Sequence, residues 1–330
     1  MKLLSCMNLR KILVFLISAL VLCSGASLFF GCEYRGGHTF TSEPITEEIM
    51  LHEGDKYTPK KDIETFLIIG LDKTLENSGS ESYNNNKQAD FLLLFVFDNK
   101  EKTASAIQIN RDTMAEMNLL DIAGKKYGKK TCQIALSHTE GNGRGISCRN
   151  TADAVSSLLC DIDIDYYFST TLESVTTVND KLGGVEVTVL DDFTGVDDTL
   201  IKGEKITLMG KQALTYVRAR NGLEDNTNIN RMKRQRQYME ALFEKLKLCS
   251  ETDTGLFLEI LIEISEYYIS NCSDAKCEQL FNKVSEYEAL GIKTLEGENK
   301  KGEKYMEFYP DQVKLKELVL ELFYDKVSEE

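Results

Sequence analysis

Residues Glu64–Asp72 read ETFLIIGLD, and residues Phe91–Asp98 read FLLLFVFD. Both are short and almost wholly apolar, with acidic residues at their ends. Runs of this kind suit central strands buried on both faces, where no polar side is needed. The tetrad Asp98-Asn99-Lys100-Glu101 reads as a turn and returns the chain into Thr103–Asn110, TASAIQIN, a third strand. Residues 74–89 are a polar loop between the first two strands.

Downstream the period changes. Asn150–Asp161 places Ala154, Leu158 and Leu159 at helical spacing, with Asn150 or Thr151 as a cap. Asp165–Thr170 reads as a strand, Leu172–Leu182 as a helix stopped by Gly183-Gly184, and Val185–Leu190 as a strand of period two. Lys211–Val217 and Asn230–Leu248 are helices. In the second, Met232, Met239, Leu242, Phe243 and Leu246 form one apolar stripe, read as core. Residues 254–290 read as two further helices, Lys293–Tyr309 as a hairpin and Gln312–Tyr324 as an amphipathic helix. The succession predicts an α/β fold, a layered mixed sheet flanked by helices.

Ile12–Phe30 carries no charge over nineteen residues, close to the roughly 20 that span a bilayer core. Lys2, Arg10 and Lys11 precede it, so residues 1–11 are expected to be a cytoplasmic tail and 12–31 a single transmembrane anchor. A cleaved signal peptide near Ser24-Gly25-Ala26 and a lipoprotein at Cys32 are the competing readings. Residues 32–62, polar and weakly periodic, are expected to form an extracytoplasmic stalk. Residues 63–249 then form the main domain, and 250–330 a helical and hairpin extension packed on it.

Acidic residues outnumber basic ones 53 to 39, for a net charge of -14, which argues against nucleic acid as a partner. Yet Arg218, Arg220, Arg231, Arg234 and Arg236 crowd one stretch. Guanidinium forks match phosphate oxygens, and only Glu224 and Asp225 stand nearby to neutralise them. The surplus points to an anion. Arg218 and Arg220 share a face where the chain is extended, and Arg231 and Gln235 share a face near a helix N-terminus. Asp72 ends the first strand, Asp90 opens the second, and Arg111-Asp112 follows the third. Two converging carboxylates suit Mg²⁺ or Mn²⁺, although Asp also marks strand ends without any metal.

Six cysteines, Cys132, Cys148, Cys160, Cys249, Cys272 and Cys277, fall in the expected exported body, and Cys132 and Cys148 bracket the Gly-rich stretch 133–145 as candidates for a disulfide. That stretch lacks the Gly-Lys-Ser/Thr ending of a P-loop, and its lone His138 reads as structural.

Six blocks in order carry a family resemblance: FLIIGLD, ADFLLLFVFD, AIQINRDT, DYYFSTTLESVTTVNDKLGGVEVTV, ALTYVRAR and NRMKRQRQ. With them the chain resembles the LytR-CpsA-Psr family of bacterial envelope proteins across about residues 64–248. The resemblance implies a membrane-anchored phosphotransferase. It would move a teichoic acid or capsular polysaccharide from a polyprenyl pyrophosphate carrier to peptidoglycan. The alternatives are a polyprenyl-pyrophosphate hydrolase and a non-catalytic envelope sensor. By the same resemblance Asp72 and Asp90 would serve Mg²⁺, and Arg111, Arg218, Arg220, Arg231 and Gln235 would grip the pyrophosphate. Asp112 would orient the arginines or take the acceptor proton, and the lipid tail would enter an apolar slot under the helices. Three positions depart from the pattern. Lys87-Gln88-Ala89 lacks an arginine, Asn110 replaces a proline, and Gln133 replaces a lysine.

Overall fold

The computed structural model describes residues 50–72, 85–253 and 255–327. The apolar segment 12–31, both its flanks, the first part of the expected stalk and most of the 74–89 loop lie outside the described residues. Among the described residues no helix is long and apolar enough to cross a membrane.

Six strands make the central sheet: β1 (Ile63–Leu71), β2 (Ala89–Asp98), β3 (Thr103–Ile109), β4 (Tyr166–Thr171), β5 (Tyr268–Ser270) and β6 (Glu288–Thr294). Their spatial order is β5-β4-β1-β2-β3-β6. The first three form an antiparallel meander, β4 lies parallel to β1, β6 parallel to β3, and β5 antiparallel to β4. The sheet is therefore mixed, and both faces are covered.

Strand alternation sorts the apolar residues into two cores. Leu67, Ile69 and Leu71 of β1 and Leu92 and Leu94 of β2 pack with Val155 of α1 (Gly145–Leu158) and with Val319 near the chain's end. Phe66, Ile68, Leu93 and Phe95 face the other way, onto a second helical layer. That layer holds α2 (Leu172–Lys181), α3 (Lys211–Arg218), α4 (Asn228–Ser250), α5 (Leu256–Glu263) and α6 (Asp274–Glu286); α7 (Gln312–Phe323) carries Val319 on the first face. Each fully buried side chain of this size contributes roughly 1.5–3 kcal/mol. After α2 the chain turns at Gly184 with φ +89, where an added Cβ would lie 2.8 Å from Leu208 O, so only glycine fits.

The structure departs from the sequence expectations in four places. Met50–His52 and Asp55–Pro59, expected in the stalk, form a hairpin that pairs with Tyr324–Lys326. Met114–Leu120 and Lys126–Gln133 form a hairpin that polar, exposed residues concealed. Residues after 249 are no appendage, because β5 and β6 are the two edges of the main sheet, and the described residues belong to one compact unit. Cys132 and Cys148 are free thiols: Cys132 lies 3.4 Å from Met117 Sδ, whereas Cys148 lies 3.7 Å from His138 Nε2. Cys272 and Cys277 are the pair that meets, with sulfurs 2.8 Å apart.

Candidate active site

The meander brings the site together. Because β2 is antiparallel to β1 and β3, the end of β1, the start of β2 and the end of β3 share one rim of the sheet. Asp72, Asp90 and the Asn110-Arg111-Asp112 turn follow from that topology. Gln88 stitches the rim, its backbone N–H donating to Asp72 Oδ1 at 2.8 Å while the Asp72 N–H donates to Gln88 O at 3.2 Å.

Asp90 is the hub of the charges. Arg111 Nη1 donates to one of its oxygens, and Arg231 Nη1 donates to the other at 2.9 Å. The two guanidiniums are nearly buried, with side-chain exposures of 12% and 4%. Each is also held by neutral groups. Arg111 Nη2 donates to Gln88 Oε1, and Arg231 Nη2 donates to Asn228 Oδ1 at 2.6 Å. Asn228 in turn donates to Asn110 Oδ1 at 2.7 Å, the atom that also receives the Asp112 N–H. Both arginines keep a buried Nε with no hydrogen bond among the described residues, although Arg111 Nε lies 3.5 Å from Asp112 Oδ1.

Arg218 and Arg220 arrive differently. Arg218 ends α3, Ala219 is extended at φ -56 and ψ 137, and Arg220 follows. The corner is clamped from beneath by Arg234, whose guanidinium donates to Tyr216 O at 2.8 Å and to Ala219 O while pairing with Asp191. Arg234 is thus a buried structural member of the cluster, and it reduces the surplus charge read from sequence. The side chains of Arg218 and Arg220 make no hydrogen bond or ion pair among the described residues, and both residues line the cleft. Gln235 donates to Val217 O at 3.2 Å and lines the slot rather than the open cleft.

Two spaces meet at this rim. One is an open cleft of about 1560 Å³, bordered by Asp72, Asp90, Arg111, Asp112, Arg218, Arg220 and Arg231. The other is an apolar slot of about 200 Å³ between the sheet and helices α4 to α6. Asp72, Asp90, Arg218 and Arg231 border both, so they stand at the slot's mouth. Phe95 and Phe168 of the sheet, Phe243 of α4, Phe257 of α5 and Phe281 of α6 line its walls, with ring centroids 4.3 to 5.7 Å apart in their contacts. The stripe of Met239, Leu242, Phe243 and Leu246, read as core, packs on the core and also forms a wall of this space.

Burial pushes the Asp112 carboxyl above the usual carboxylate range, against the pull of Arg111, Arg231 and Arg220. Its Oδ1 accepts a hydrogen bond from Gln133 Nε2 at 3.0 Å. The three unusual positions therefore all have posts here: Gln88 on Arg111, Asn110 on Asn228 and Asp112, Gln133 on Asp112. Sequence reading noted them as departures but missed Asn228, since NTNIN offers several equivalent caps. His138 is fully buried and neutral, its pKa lowered to about 4 by burial, with Nδ1 3.1 Å from Lys87 O.

Among the described residues no group of three or more His, Cys, Asp or Glu is placed to hold a metal ion. Asp72 and Asp90 nonetheless present hard oxygens to one mouth. A carboxylate has about four lone-pair sites, so Asp90 can accept both guanidiniums and still ligate. The residues fit a Mg²⁺ that takes its remaining ligands from phosphate and water.

The model of the LytR_cpsA_psr family matches residues 39–323. The chain belongs to this family. The match runs through both edge strands, well beyond the 64–248 span of the sequence blocks. TagU of Bacillus licheniformis, a polyisoprenyl-teichoic acid–peptidoglycan teichoic acid transferase, is 33% identical over 179 residues, covering 54% of this chain and 51% of that protein. TagU of Bacillus subtilis is 31% identical over 186 residues, covering 56% and 53%. The chain thus spans about half the length of these curated relatives. The crystal structure of B. subtilis TagT has the same LytR_cpsA_psr fold at TM-score 0.57 and 24% identity, covering 79% of this chain and 90% of that one. A structure of TagT bound to LIIa-WTA gives 0.59 over the same shares.

Proposed function

We propose that this protein is a membrane-anchored phosphotransferase. It moves a glycopolymer of teichoic acid or capsular polysaccharide type from a polyprenyl pyrophosphate carrier to peptidoglycan. One observation carries the reading: an apolar slot opens directly onto a mouth ringed by guanidiniums. A lipid pyrophosphate has that same division, a long apolar tail joined to a dense negative charge. The naming of the TagU relatives as teichoic acid transferases to peptidoglycan supports the polymer and the acceptor. The charge-free segment 12–31 anchors the body to the membrane, with residues beyond it outside the cell.

The tail lies in the slot, and its pyrophosphate meets Arg218 and Arg231 at the mouth. Arg111 and Arg220 complete the cradle from the cleft. An acceptor hydroxyl attacks the phosphorus that bears the polymer, and a new O–P bond forms as the bond to the polyprenyl phosphate breaks. Asp112 receives the acceptor proton. Negative charge grows on the departing phosphate, and fixed guanidiniums stabilise it without reorganising. Asp72 and Asp90 would hold a Mg²⁺, which would supply further charge neutralisation at the departing phosphate.

The test uses the full chain in detergent with a labelled lipid-linked polymer and peptidoglycan. The expected result is label covalently joined to peptidoglycan. Label released as free polymer would establish a hydrolase, and label retained on the lipid a binding protein.

A further inference from the structure

A hairpin made of Gly297–Lys301 and Met306–Pro310 reaches the cleft and has no part in the slot. It is built into the rim: the Phe308 N–H donates to Asp112 O at 2.8 Å, and Phe308 is buried in the core. Gln133 Nε2 donates both to Asp112 Oδ1 at 3.0 Å and to Met306 O at 2.8 Å, so one amide ties the hairpin to the carboxylate. At the turn the hairpin turns apolar surface outward. Tyr305 is 68% exposed and Met306 47%, and both border the cleft with Asn299.

Reaction geometry gives this surface a direction. In phosphoryl transfer the attacking and leaving oxygens lie roughly in line. The leaving phosphate stays with its tail at the slot, so the acceptor comes from cleft walls that the slot does not share. Cleft residues outside the slot lie on the hairpin, at Glu173 and Thr177 of α2, at Lys211 and Leu214 of α3, and at Asn226. Asp90 has guanidiniums on both oxygens, whereas the Asp112 carboxylate is tied through Gln133 to the hairpin, which favours that wall for the acceptor.

We infer that the 297–310 hairpin is the acceptor subsite, binding a glycan strand with Tyr305 as the stacking face and Asn299 as a hydrogen-bonding partner. This rests on the transferase reading above. A sugar ring offers a flat C–H face that packs on an exposed phenol, and its hydroxyls and acetamides match an amide side chain. Gln133 holds Asp112 toward the incoming hydroxyl. The cleft wall at Glu173, Lys211 and Leu214 is then left for the polymer.

The experiment measures binding of soluble, uncross-linked peptidoglycan glycan strands to the full chain by calorimetry, beside transfer kinetics. Tyr305→Ala should weaken strand binding and raise the acceptor KM by about tenfold, with kcat and lipid pyrophosphate affinity nearly unchanged. Tyr305→Phe should retain both values, because the ring remains. An unchanged acceptor KM in Tyr305→Ala, or a loss confined to lipid pyrophosphate binding, overturns the assignment, as does wild-type protein that binds no strand. Strand binding that depends on Tyr305 in a protein that transfers nothing keeps the subsite and sinks the transferase. Normal transfer with indifference to Tyr305 does the reverse.

Discussion

Arg111 and Arg231 differ from Arg218 and Arg220 in how their charge is kept. The first two are nearly buried and locked onto Asp90, with amides of Gln88 and Asn228 taking further N–H groups. The second two project into the cleft with no ion pair among the described residues, from a corner that Arg234 clamps. One pair is part of the framework and would hold its shape with the site empty. The other pair carries the uncompensated charge. Charge that is already satisfied shapes an anion site, and charge left over captures the anion.

The comparison breaks most readily at Asp90. Asp90→Ala leaves two buried guanidiniums without their carboxylate, and removal of one member of such a pair costs about 3–5 kcal/mol. Urea unfolding without added metal should show that loss. If stability falls only when Mg²⁺ is present in the wild-type control, Asp90 is a metal ligand before it is a counter-ion. Arg218→Lys and Arg220→Lys should do the opposite, leaving the unfolding curve in place. Each should lower pyrophosphate affinity about tenfold or more, since an ammonium loses the two-pronged contact worth roughly 1.5–3 kcal/mol. Equal damage to stability and affinity in these variants would erase the distinction between the pairs.

A smaller effect is expected from Asn228→Ala, which removes the link between Asn110 and Arg231. The hydrogen bonds lost are worth about 1 kcal/mol each, and the readout is stability together with the anion affinity that Arg231 supports. Smallest is the pH signature of Asp112. Its folded pKa is raised by burial, so the folded form holds its proton more tightly than the unfolded chain. That contribution is fully present below the ordinary carboxylate value of 3.8 and is lost as pH rises through the folded pKa. Asp112→Asn should lack this decline and be no less stable at neutral pH, while transfer falls. Unfolding of both proteins as pH rises from the acid range toward neutrality reads the difference; parallel curves would remove Asp112 from the role of proton acceptor.

Much of this was legible in the sequence where one physical signal dominated. FLIIGLD and FLLLFVFD suit strands buried on both faces, and they do form β1 and β2. The tight turn after Asp98 then aligns the rim that carries Asp72, Asp90 and Arg111. Weak signals failed. β5 has three residues, too few for a period, and β6 is broken by an irregularity between Ala289 and Ile292. The strands of the Met50–Pro59 hairpin look like a stalk because their partner lies at the far end of the chain. In the site, residue types were readable but pairings were not. Asp90 and Arg231 are 141 residues apart, and no local pattern says that one neutralises the other.

The order in which the sheet is filled has a consequence for how the molecule comes to exist. Its middle strands are made first, and both borders are supplied by residues 268–294. Lys102 and Tyr287, which bond beside the β3–β6 pairing, are 185 residues apart. Loops of that length close slowly, so folding should be a late, concerted event on the timescale of milliseconds to seconds typical of non-local topologies. Until then a four-stranded sheet with two bare rows of backbone N–H and C=O groups is exposed to its neighbours. A chain cut at residue 249 would keep every arginine of the cleft and emerge as aggregate.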